Sequence, residues 1–262
     1  MHGLLRVLPV AGIGAISMEN IPKQTLCSKL VSATISVEKT EECMVNEKNG
    51  VAPDLIGPTT TETDFARSVD REIIRQVGGM NLRGLRILRD ALAASRVVLP
   101  PAVTALRDEW LSLEEQALGA VADCPYLLFS LSTDTAFALW RRTQSGTPLP
   151  RLSAGLCEGS AGQGFARIVC YFAWQTAQSR PAAASLLLGL SAAGCASLRS
   201  LELPQIDELA EVAAPCVALR WGEDAEFWRR RLVAARARDR NALWESTLAG
   251  VQRLAAISRS TA

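Results

Sequence analysis

The chain has 262 residues, is 48% hydrophobic and 21% charged, and carries a formal net charge of +1, which excludes wholesale disorder and leaves any nucleic-acid contact to a local patch. Its one histidine is His2, and its lysines, Lys23, Lys29, Lys39 and Lys48, all precede residue 50. Histidine triads, histidine-ligated zinc, Schiff-base chemistry and Walker-type phosphate loops are thereby excluded from the rest of the chain.

Residues 1–62 contain every lysine, a single arginine (Arg6) and no aromatic residue, and read as a weakly ordered leader. An over-extended translation start is one account of it, which N-terminal sequencing of the native protein tests. The apolar run from Leu4 to Ile16 is interrupted by Arg6 and Pro9 and is too short to span a membrane. It also lacks a basic start and a clean small-residue cleavage site, which argues against a signal peptide.

Residues 63–143 read as a helical module of unassigned role. Phe65, Val69, Ile73 and Val77 recur on one helical face. Gly78-Gly79 is expected to end that helix, with Asn81 capping the next. Leu82, Leu85, Leu88 and Leu92 continue the helical spacing. Pro100-Pro101 suits a first helical turn, with Val103, Leu106, Trp110 and Leu113 facing inward. Residues 124–132 fit either a short buried strand or a helix start, and Thr133 to Arg142 reads as helix.

Residues 144–164 are rich in Gly, Ser, Thr and Pro and read as a linker. Within them GSAGQG (159–164) precedes a helix but lacks the Lys-Ser/Thr ending of a phosphate loop. Helices are expected at Phe165–Gln178, from Pro181 to Leu188, after a Ser191 cap, and from Pro204 to about Ala214. In the last of these Leu201, Leu203, Ile206, Leu209 and Ala210 supply one buried face. Pro215 to Trp221 reads as extended, and two helices close the chain, about Glu223–Ala237 and Arg240–Ile257. No internal repeat is evident. The fold class is all-α.

The seven cysteines are odd in number and never spaced C-x-x-C, which fits small buried hydrophobes in a reducing cytoplasm. No catalytic constellation, metal site or cofactor motif emerges, and the reading is of a non-enzyme. The six tryptophans are dispersed and read mostly as core anchors. The most functional-looking feature is the run Phe227 to Arg240, with Arg229, Arg230, Arg231, Arg236, Arg238 and Arg240. Arginine binds phosphate bidentately and pairs with guanine edges. The plain alternative is a solvated face whose arginines pair with Glu223, Asp224, Glu226 and Glu245.

Three segments carry a family resemblance. LELPQIDELAE (201–211) resembles a characteristic run of the FlhD family, a subunit of a bacterial flagellar transcription activator. AAASLLLGLS (182–191) stands where that family has an Ala-rich helix ending in a Leu-Gly turn. Leu219-Arg220-Trp221 matches its flanked arginine. The chain resembles FlhD over about residues 165–258. The cysteine that links FlhD subunits is shifted, Cys216 falling one place before it, so no intersubunit disulfide is carried over. The resemblance implies an all-helical domain, self-association, and DNA binding alongside an FlhC-like partner subunit. The expected function is transcription regulation through DNA contact at the six arginines, with no membrane contact. The alternative is a helical protein-interaction adaptor without direct DNA contact. The discriminating feature is whether those arginines are free or already neutralised.

Overall fold

Ile73, Val77, Met80, Leu85, Leu88 and Leu92 are buried at helical spacing and lie on one long helix, α1 (Thr60–Ala94). The structure, a computed structural model, describes residues 60–94, 98–150, 152 and 155–260. The leader assigned to 1–62 lies almost wholly outside these residues, as do the side chains of Phe65 and Val69. Gly78-Gly79 does not end a helix, contrary to expectation: α1 runs through both. A glycine inside a helix costs only about 1 kcal/mol, and the buried face is continuous across the pair. Nor does Asn81 cap a helix. It is fully buried, its amide donates to the carbonyls of Ala122 (3.2 Å) and Tyr126 (2.9 Å), and its oxygen accepts from Leu128 N (2.7 Å).

Pro101 opens α2 (Pro101–Ala105), which breaks at Leu106 into α3 (Arg107–Leu111). Val103, Leu106, Trp110 and Leu113 are all buried, as their spacing predicts. α4 (Glu115–Ala122) follows, and the ambiguous segment resolves as strand β1 (Phe129–Leu131) before α5 (Thr133–Gln144). The stretch 144–164 is only partly a linker. Leu156 and Cys157 are buried in a 3-10 turn, and GSAGQG is the first part of α6 (Gly159–Ser179). A Cβ at Gly162 would collide with the backbone of Cys157, so that turn and helix need a glycine there.

α7 (Pro181–Leu188) stops at Gly189, whose φ of 60° suits a residue without a Cβ. Ser191 caps α8 (Ala192–Arg199) as expected, its hydroxyl accepting from Gly194 N at 3.0 Å. α9 (Leu203–Val212) begins with a Glu202–Gln205 capping box. Leu201, Ile206, Leu209 and Ala210 are buried, but Leu203 is 56% exposed and leaves the expected apolar face. Strand β2 (Val217–Leu219), α10 (Ala225–Arg236) and α11 (Arg240–Ser260) complete the chain. Among the described residues the fold is all-α apart from the antiparallel β1–β2 ribbon. One contiguous core draws residues from both modules, so the boundary at 144–164 does not separate two cores.

An internal repeat is present in the structure although none is evident in the sequence. On α1 the buried positions Val77, Met80, Asn81, Gly84, Leu85, Leu88 and Leu92 match Gly162, Phe165, Ala166, Val169, Cys170, Ala173 and Ala177 on α6, at the same spacing. Trp110, Leu113, Leu118, Val121 and Ala122 match Leu198, Leu201, Ile206, Leu209 and Ala210 in the same way. Ser112 and Ser200 end equivalent helices, and Glu114 and Glu202 begin equivalent ones. Along α1 and α6 the residues differ at every one of these pairs, and the identities at Ser112–Ser200, Leu113–Leu201, Glu114–Glu202 and Ala122–Ala210 are too few to show the repeat by themselves.

Candidate functional site

Helix α10 carries most of the basic run. Asp224 starts it by accepting from Phe227 N at 2.9 Å, and Glu226 in the first turn and Arg236 in the last complement the helix dipole. The Phe227 amide first, and then Arg253, hold the Asp224 carboxyl below its ordinary value. Arg253 donates to Asp224 at 2.8 Å and lies over the rings of Trp221 and Phe227, 5.7 and 5.2 Å from their centroids. This joins the last helix to the start of α10.

The structure divides the six arginines among different environments. Arg231 is fully buried and is not part of the basic surface. Its Nε and Nη2 donate to the carbonyl of Val121 at 3.0 and 2.7 Å, and Nη1 donates to Thr247 Oγ1 at 3.1 Å. Val121 lies in the last turn of α4, where carbonyls lack helical partners and favour a cation. Its position was readable: Arg231 falls at helical spacing with Phe227, Trp228 and Ala235, all buried.

Arg229 and Arg230 share Glu226 at 3.2 and 2.6 Å, and the two arginines hold that carboxyl below its ordinary range. Arg236 donates to Ser112 Oγ and to the Glu109 carbonyl. Arg238, with φ of 55°, forms the turn between the closing helices and stands 3.8 Å from Glu114. Arg240 opens α11 and is exposed. Val233, 57% exposed, lies between Arg229, Arg230 and Arg236 on the outer face of α10.

A second buried arginine was missed as a structural residue. Arg220 donates from Nε to Leu127 O at 2.7 Å and from Nη2 to Leu188 O, the final residue of α7. Burial pulls its pKa down to about 10, which still leaves it charged at neutral pH. A Cβ at Gly189 would meet its guanidinium, so the positive φ and the close approach both require glycine at that position.

An open groove of about 590 Å³ lies between α1 and α6, lined by Arg71, Glu72, Arg75, Phe172, Gln175 and Ser179. Glu72 is engaged by Arg75 and Gln76 and is held below its ordinary pKa by those bonds. No nucleophile and base converge there. Among the described residues no group of His, Cys, Asp and Glu is arranged to hold a metal ion, and no helix is long and apolar enough to cross a membrane. No protein-family model, curated protein or solved structure matches the chain.

Proposed function

We propose that this protein is a transcriptional regulator of the FlhD type that acts as a protein-binding scaffold, with DNA contact supplied or completed by a partner subunit. The outer face of α10 carries this reading. Its arginines already hold Glu226, Ser112 and the Glu109 carbonyl, and the apolar Val233 sits among them. Arginine is enriched at protein interfaces, and arginines already engaged by neighbouring protein groups have less to offer a phosphate backbone. The resemblance over 165–258 supplies the regulatory label, and an FlhC-like subunit is the partner it implies. A cytoplasmic setting suits the buried thiols of Cys157, Cys170, Cys195 and Cys216, which are not in disulfides.

A second reading, direct DNA contact, has one observation in its favour. Arg240 on α11, and Arg141 and Arg142 at the end of α5, are exposed and no carboxylate lies within ion-pair distance of them among the described residues. Titrating the full chain with random-sequence duplex DNA across a salt series separates the two readings. The scaffold reading expects affinity no tighter than roughly 100 µM near physiological salt, the weak end of non-specific binding. Micromolar binding that falls steeply with salt and is lost on changing Arg141, Arg142 and Arg240 to Ala overturns it.

A further inference from the structure

The strand register describes a dyad inside one polypeptide. Exchanging each residue for its counterpart in the other half turns the pair Phe129–Leu219 into Leu131–Val217, and turns Ser130–Ala218 into itself. The flanking bonds obey the same exchange. Ser132 N donates to Cys216 O at 2.9 Å, and Arg220 N donates to Leu128 O at 2.8 Å.

Helix packing is reciprocal as well. α1 packs on α3 and α4 as α6 packs on α8 and α9. Across the ribbon, α10 of the second half packs on α4 of the first, and α5 of the first packs on α9 of the second. Contacts in which i meets j and j meets i are the mark of an isologous two-fold interface. We propose that the chain is two copies of one helical unit, about residues 71–144 and 155–236, fused in tandem so that each unit's two-fold partner is the other half of the same molecule. The self-association implied by the resemblance is thereby met within one chain.

Divergence at the interface favours this unequal pairing over pairing of like halves. Phe129 of the first unit and Phe165 of the second meet edge to face, their centroids 5.0 Å apart, over Gly84. A Cβ at Gly84 would collide with both rings. The counterpart of Gly84 is Val169, and that of Phe165 is Met80. In two second units Val169 would replace Gly84 beneath Phe165, but Val217 would replace Phe129, so the ring pair itself would be lost. Two first units would leave a methionine in place of the ring. Only the unequal pairing keeps both rings of this contact, and a contact that only one pairing can make favours that pairing over the other two.

The first test is sedimentation of the full chain from about 1 to about 200 µM, a range over which weak self-association shows by mass action. One species of 28.2 kDa is expected throughout. A species of twice that mass, or one growing with concentration, overturns the proposal. The second test is the double variant Ser130→Cys, Ala218→Cys, oxidised and run without reductant beside the wild type. Directly opposed strand residues lie within disulfide reach. The expected product is a cross-linked chain that keeps the monomer mass. A bond that forms between chains, or no bond between these positions in folded protein, overturns it.

Discussion

The guanidinium of Arg231 donates twice to the carbonyl oxygen of Val121, at 3.0 and 2.7 Å, with no carboxylate among its hydrogen-bond partners. It binds the second half of the chain to the buried C-terminal end of α4 in the first. Arg231→Ala would empty a fully buried volume and leave that carbonyl unpartnered. Buried polar and cavity losses together suggest about 3–5 kcal/mol. Arg230→Ala, which removes only an exposed pair with Glu226, should cost less than about 1 kcal/mol. Urea unfolding of the two variants checks this; equal small shifts would mean that Arg231 is not a structural residue.

The contrast between these neighbours also marks what a sequence discloses. Local spacing placed Val103, Leu106, Trp110 and Leu113 in the core and Ser191 at a helix start, because both depend on residues within one or two turns. It also grouped all six arginines as one patch, since charge composition carries no record of which side of α10 packs on α4. The repeat was illegible for a related reason. Along α1 and α6 a large residue in one copy often stands for a small one in the other, as in Leu88 and Ala173 or Val77 and Gly162, so the shared burial pattern carries a match that identity shows at only a few positions. Gly78-Gly79 misled because glycine lowers helix stability by a fixed local amount, while the burial that overrides it comes from α4 and the segment after it.

Asn81 is the sharpest case of that override. Its side chain serves two carbonyls and one amide of residues 122–128, three polar backbone groups with little access to water. Asn81→Leu keeps the branched shape, with bulkier methyl ends, and raises helix propensity, yet leaves Leu128 N–H without its partner. A loss of about 2–4 kcal/mol is expected from the stranded groups. Thermal unfolding checks it, and a stabilised variant would show that water or backbone adjustment replaces the amide.

Tyr126 presents the opposite situation. Its ring is 1% exposed and packs edge to face on Trp221, and its hydroxyl is buried with no hydrogen-bond partner. Burial, with Cys124 nearby, raises the phenol pKa well above its ordinary 10.0. Tyr126→Phe removes the unsatisfied group and keeps the ring, so stability should rise by about 1 kcal/mol. Gly250→Ala should do the reverse, because a Cβ there would run into the same hydroxyl. The collision outweighs the helix-propensity gain of about 1 kcal/mol. Denaturation midpoints of both variants decide the matter; an unchanged or lowered midpoint for Tyr126→Phe would imply a partner for the hydroxyl.

Burial pushes the thiols of Cys157 and Cys170 up to about 12 and that of Cys216 to about 11, from an ordinary 9.0. The thiolate is the reactive form, so these cysteines should resist alkylation at pH 8 until the protein unfolds. The same shifts fix the sign of a pH effect. Between pH 9 and the raised values the folded protein holds protons that the unfolded chain has released, so stability falls as pH rises. It is fully present below about pH 9 and declines progressively toward pH 11–12. Replacing Cys157 and Cys170 with Ala should flatten that alkaline decline while costing some packing at neutral pH. Unfolding measured at pH 8 and pH 10.5 for both proteins tests it. Parallel declines would show that other groups, Tyr126 first among them, carry the alkaline sensitivity.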